Sequence, residues 1–124
     1  MTTKTVEKIE RKVISVDAEN KPLGRLAVEV AVLLRGKNKP TYVPYKDVGD
    51  TVLVKNIDKM IFTGNKLETK KYHHYTGYLG NLKTATLKEF VNKRGPKEVL
   101  RAAIMGMLTK NKLRANQIKR LKFE

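Results

Sequence analysis

The residues best suited to metal binding or acid–base chemistry are the adjacent pair His73-His74 and the aspartates Asp47 and Asp50, which flank Gly49. Neither pair is arranged for it. Neighbouring residues of a strand project to opposite faces and do not readily share one ion. No cysteine or nearby carboxylate cluster completes a ligand set beside the histidines. Asp47 and Asp50 stand where turn and strand-entry residues are expected, so paired proton transfer is not their expected use. The chain has no cysteine, which removes disulfides, thiol nucleophiles and Cys-based zinc sites together. Gly64-Asn65-Lys66 lacks the spacing of a phosphate-cradling P-loop. Gly77-Tyr78-Leu79-Gly80 fits the GXXG pattern with which a KH domain clamps a nucleic-acid backbone. Its middle residues are apolar instead of cationic, however, and it follows a strand candidate, so a turn held by two glycines is favoured. No catalytic centre, metal site, cofactor or small-molecule substrate is expected.

The chemistry that remains is charge. Lys and Arg number 27 against 12 Asp and Glu, a formal net charge of +15, a self-repulsion with little use in a free globular protein. A polyanion compensates it best, because each phosphate neutralised releases condensed counterions. The surplus is clustered. Residues 35–46 hold Arg35, Lys37, Lys39 and Lys46 and no acid, stiffened by two prolines and two tyrosines. Residues 66–78 set Lys66, Lys70 and Lys71 beside Tyr72, His73, His74, Tyr75 and Tyr78, cations mixed with flat rings that can stack on unpaired bases. Residues 108–124 carry Lys110, Lys112, Arg114, Lys119, Arg120 and Lys122 against the single acid Glu124. Arg25, on the exposed side of the first helix, can join this footprint. Each stretch also has a plainer reading: a solvated loop, a sheet edge whose rings pack inward, and a basic amphipathic tail like those that bind calmodulin or membrane surfaces.

These groups need a scaffold, and 40% hydrophobic residues in 124 are enough for one core. Residues 1–11 are polar and read as an N-terminal arm, leaving residues 12–124 as a single domain. Val13-Ile14-Ser15-Val16 is β-branched and predicts a strand, stopped by Asp17-Ala18-Glu19-Asn20. Pro22 suits a first helical position, and Leu23, Leu26, Ala27, Val30, Ala31 and Leu34 recur at helical spacing until Gly36. Thr51-Val52-Leu53-Val54 predicts a strand buried on both faces, completing a βαβ unit. Further strands are predicted at Met60-Ile61-Phe62 and across residues 71–76. Thr86 and Glu89 have capping-box spacing, Gly95 ends that helix, and Pro96 opens another with Val99, Leu100, Ala103, Ile104, Met107 and Leu108 on one face.

Read in order, several motifs resemble the ribosomal L-thirteen family from Val13 to Phe123. They are Asp17-Ala18 with Leu23-Gly24-Arg25-Leu26-Ala27, then Leu34-Arg35-Gly36-Lys37 with Lys39-Pro40, and Thr63-Gly64-Asn65-Lys66-Leu67. Thr76-Gly77-Tyr78 with Gly80, and Gly106-Met107-Leu108 with Leu121-Lys122, complete the series. The resemblance implies a three-layer α/β/α domain around a mostly parallel sheet, with a basic C-terminal segment. It also implies binding to large-subunit ribosomal RNA beside neighbouring ribosomal proteins, a role early in subunit assembly, and no catalytic centre or cofactor. The chain departs from the family's usual pattern at Thr109, where proline is common, and at Arg114-Ala115, near a usual Gly-Arg pair. It also ends at Glu124, where many members continue into a His- and Gln-containing tail whose contacts would have to be absent or replaced.

No apolar run approaches the roughly 18 residues of a membrane span, and no signal peptide or lipidation signature is visible. The chain is therefore expected to stay in its compartment of synthesis, and the resemblance implies that this is the cytoplasmic ribosome. Two rivals share the charge. An architectural DNA-binding protein is disfavoured by the lack of helix-turn-helix spacing, basic zipper or apolar wedge motif. A small nucleic-acid-processing enzyme is disfavoured by the unsuitable aspartates and histidines.

Overall fold

The computed structural model describes residues 11–124, so the arm expected over residues 1–11 lies almost wholly outside the described part. The chain folds as an α/β domain. Strand β1, Val13–Asp17, is followed by helix α1, Leu23–Arg35, and strand β2, Thr51–Lys55. β1 and β2 pair in parallel with Val13 opposite Thr51 and Val16 opposite Val54. A connection between parallel strands needs a crossover, and α1 supplies it. Pro22 stands one residue earlier than expected, as the N-cap, and Gly36 ends the helix in the left-handed region at φ 78°. There its N–H donates to the carbonyls of Val32 and Leu33, the usual use of glycine past a helix end.

The segment expected as a strand at Met60-Ile61-Phe62 is corrected. Asn56, at φ 55°, leads into a 3₁₀ turn, Ile57–Lys59, which Met60 closes. Only Ile61 makes a β-bridge, in parallel with Pro22. A ladder has no room to grow there, because the chain enters α1 at the next residue.

A short helix α2, Lys66–Thr69, precedes strand β3, Lys71–Tyr75, which pairs antiparallel with strand β4, Leu82–Thr86, as a separate two-stranded sheet. β4 is not expected from the sequence, since Leu-Lys-Thr-Ala-Thr offers no clear apolar alternation. Its last residue caps helix α3, Leu87–Arg94, the Thr86 hydroxyl accepting from the Glu89 N–H at 3.4 Å. Gly95 then turns the chain at φ 85° into helix α4, Pro96–Met107, with Pro96 in its first turn.

The basic C-terminal segment is built into the body. It divides into helix α5, Leu113–Lys119, and strand β5, Leu121–Phe123. β5 pairs in parallel with β2, giving the order β1-β2-β5 and making β2 central. Alternation turns Val16, Val52, Val54 and Leu121 to the core, where they join Leu26, Val30 and Leu34 of α1, Leu87 of α3 and Leu100 and Ile104 of α4. Each fully buried Leu or Ile side chain stabilises the fold by about 1.5–3 kcal/mol. On the other sheet face Leu53 is half-buried and Lys122 exposed, so among the described residues β2 is fully buried on one face rather than both.

Candidate nucleic-acid interface

The cations divide by what they already touch. Arg120, at the end of α5, has a side chain only 13% exposed. Its guanidinium holds both oxygens of Asp47, Nη2 donating to Oδ1 at 2.7 Å and Nη1 donating to Oδ2. Nη2 also donates to the Leu34 carbonyl at 2.7 Å, and Nε to the Asp50 carbonyl at 3.4 Å. The planar fork of arginine suits such a cluster of acceptors. Arg11 reinforces it, donating to the carbonyls of Gly49 at 2.6 Å and Asp47 at 2.9 Å.

Lys39 is engaged similarly. Its Nζ lies 2.8 Å from the buried Asp50 carboxylate and 2.7 Å from the Val48 carbonyl. Burial alone would raise the Asp50 carboxyl, but the Lys39 hydrogen bond and the Lys12 backbone N–H outweigh it and hold it below the usual carboxylate value. Arg120 and Lys39 therefore shape the loop between α1 and β2. Asp47 and Asp50, weighed above as an acid–base pair, are the anions that anchor it.

Lys37, Lys46, Lys66, Lys70, Lys71, Lys110, Lys112, Lys119, Lys122 and Arg25 are exposed, while Arg35 and Arg114 are half-buried. Folding joins the first and third basic stretches. Arg35, Tyr42, Pro44 and Lys46 form one wall of a shallow cleft, and Thr109, Asn111 and Gln117 form the other. Arg35 donates to the Tyr42 hydroxyl at 2.9 Å, so the tyrosine orients the cation. Lys122 leaves this group, since alternation in β5 turns it away from Leu121 and Phe123.

The aromatic stretch lies on the hairpin, which packs against α3. Tyr72 is half-buried and stacks on Phe90, with centroids 4.6 Å apart and planes at 22°. Its burial raises the phenol above its ordinary pKa. One ring face is thus occupied by the protein itself. His73 and His74 are exposed and alternate to opposite faces. A ring nitrogen of His73 meets the Thr84 hydroxyl at 3.0 Å, and His74 stands opposite Lys83. Tyr75 is open to solvent.

Some features had no signal in the sequence. Lys83 comes into the surface only because β4 exists. Tyr45 and Tyr78 belong to the stretches named from the sequence, but that they are among the most exposed rings is not readable from residue type. The Arg120–Asp47 pair spans 73 positions, beyond any local pattern.

Fold and surface define a small, strongly basic α/β protein whose cations are held on a rigid frame. The family model described as ribosomal protein L13 matches residues 11–123, and the chain belongs to that family. It is 48% identical over 114 residues to the large ribosomal subunit protein uL13 of Clostridioides difficile strain 630, covering 92% of this chain and 79% of that protein. It is 50% identical over 116 residues to the uL13 of Thermoanaerobacter sp. strain X514, covering 94% and 80%. The uL13 of Xanthomonas campestris pv. campestris strain B100 is 48% identical over 124 residues, covering 98% of this chain and 87% of that protein. The family is one of ribosomal structural proteins, not enzymes.

Proposed function

We propose that the chain is a structural constituent of the large ribosomal subunit in the cytoplasm, that it binds large-subunit ribosomal RNA beside neighbouring ribosomal proteins, and that it supports early subunit assembly. The observation that carries this reading is the clustering of exposed cations on a preformed frame, in a chain about half identical to proteins named for that subunit. The cleft surface uses Arg35 and Lys46, joined by Lys37, Lys110, Lys112 and Arg114 from the same two basic stretches. The hairpin surface uses Lys66, Lys70, Lys71, His73, His74 and Tyr75. Arg25, Lys119 and Lys122 extend the footprint to other faces. Tyr72, Lys39 and Arg120 contribute by holding the surfaces in shape.

Such an ordered surface loses little conformational freedom on binding and can hold two RNA segments at a fixed separation. Lysine supplies point charges, and arginine suits paired phosphate oxygens. Among the described residues no helix is long and apolar enough to cross a membrane. Competition between a folded ribosomal RNA fragment and duplex DNA of equal length, at matched salt, tests the proposal. Preference for the folded RNA supports it, and tighter binding to DNA overturns it.

A further inference from the structure

We propose that the tip of the β3–β4 hairpin is a stacking site for an unpaired RNA base, so that this surface recognises looped or bulged RNA in preference to continuous duplex. The proposal rests on the RNA-binding reading above and specifies what one surface takes.

Tyr78 is 73% exposed and Leu79 99% exposed, and both lie between glycines in the left-handed region, Gly77 at φ 91° and Gly80 at φ 76°. Immediately below, Tyr75 and Leu82 form a cross-strand pair and are 59% and 58% exposed. Four large apolar side chains are thus presented on one projecting element. The tip is a defined turn: the Thr76 N–H donates to the Asn81 carbonyl at 3.4 Å, and the Asn81 N–H to the Tyr78 carbonyl at 3.2 Å. Large exposed apolar side chains gathered on one turn in this way point to a binding site.

The charge of the hairpin selects the partner. Residues 69–88 contain no acid; Lys83 stands one register position below the Tyr75–Leu82 pair, and Lys70, Lys71 and Lys88 lie at the base of the same hairpin. The occupant must therefore combine dense negative charge with flat apolar surface. An unpaired nucleotide does so, offering a base to Tyr78 or Tyr75 and flanking phosphates to the lysines. In a continuous duplex the base faces are already stacked on one another, leaving the tip nothing flat to cover. Tyr72, the other tyrosine of the hairpin, is already stacked on Phe90.

The test uses the full chain and its Tyr78→Ala/Leu79→Ser variant. The probes are an RNA hairpin carrying a fluorescent adenine analogue in its single-stranded loop and a fully paired RNA of equal length. Wild type should prefer the looped RNA and quench the analogue. The variant should lose quenching and roughly tenfold in affinity for the looped RNA, the scale of one stacked base, with duplex binding and salt dependence unchanged because no cation is removed. Tyr78→Phe, which keeps the ring, should retain quenching. An unchanged thermal midpoint is expected, since both side chains lie in solvent. If the variant binds looped RNA and quenches as wild type does, the tip proposal fails while RNA binding stands. If wild type binds neither RNA, both readings fail. Variant-sensitive partition onto phosphatidylserine vesicles, with RNA binding unaffected, overturns the tip proposal in favour of a lipid surface.

Discussion

Arg120 and Asp47 meet in a two-point ion pair, with Arg120 Nη2 2.7 Å from Asp47 Oδ1, and so tie the entry of the last strand to the loop that precedes the central one. Because the same guanidinium donates to the carbonyl of Leu34, it also fixes that loop against the end of α1. A residue that looks like one more cation in a basic tail is the clasp of the frame.

Arg120→Ala should therefore lower stability by about 2–4 kcal/mol, since it leaves the Asp47 carboxylate only the longer Arg11 ion pair at 3.7 Å and removes the donor to the Leu34 and Asp50 carbonyls. Arg120→Lys should recover little, because an ammonium does not reproduce the fork. The exposed neighbour Lys119 provides the contrast, and Lys119→Ala should change stability by no more than about 0.5 kcal/mol. Urea unfolding of the three variants measures this, and equal effects of Arg120→Ala and Lys119→Ala would refute the assignment.

Gly49 shows how closely the loop is packed. A Cβ there would lie 1.7 Å from the Leu34 carbonyl oxygen and 2.7 Å from Arg120 Nη2. Gly49→Ala should therefore cost about 3 kcal/mol or more, or prevent folding, as over-packing against backbone does. At Gly24 a Cβ meets nothing within 4 Å, and Gly24→Ala, inside α1, should be neutral or stabilise by up to about 1 kcal/mol. Thermal melts of both variants should separate widely.

The acid limb of stability should depend on Asp50. Its folded carboxyl lies below the ordinary value of 3.8 despite burial. An acid lowered in the folded state contributes stability that is present above its unfolded pKa, near 3.9, and lost as pH falls through the folded one. The melting temperature should fall as pH drops below about 4. Asp50→Asn should flatten that limb, and Lys39→Met should move the loss to higher pH by removing the ammonium. Asp17, which is also lowered, is exposed and shifts the curve in the same sense. Melts between pH 2.5 and 7 test the argument, and identical limbs for wild type and Asp50→Asn would contradict it.

Changing Lys110, Lys112 and Arg114 together to Ala should weaken RNA binding and flatten its salt dependence, by about 0.7–0.9 in logarithmic slope for each phosphate that is no longer neutralised. Titrations at several salt concentrations measure this. An unchanged slope would mean that the segment faces something other than RNA.

The sequence makes the parallel βαβ unit legible because its signals are local: helical spacing from Leu23 to Leu34, Gly36 at its end, and the apolar run at Val52-Leu53-Val54. The capping pair Thr86 and Glu89 is legible for the same reason. β4 and β5 are not, because each is defined by its partner strand: Lys71–Tyr75 for β4 and the already buried β2 for β5. Met60-Ile61-Phe62 has strand composition, but Asn56 and the 3₁₀ turn set the backbone first. The basic stretches are visible as charge. Which cations project and which hold the frame depends on interactions such as that of Lys39 with Asp50, made only after folding.

If the frame carries its exposed cations onto ribosomal RNA of the large subunit, as proposed, the chain must sediment with that subunit. Sucrose-gradient sedimentation of lysate from cells producing the tagged chain, followed by immunoblotting, tests it most directly. The chain should travel with large subunits and complete ribosomes and remain there at moderate salt; accumulation in the soluble fractions at the top of the gradient would contradict the account.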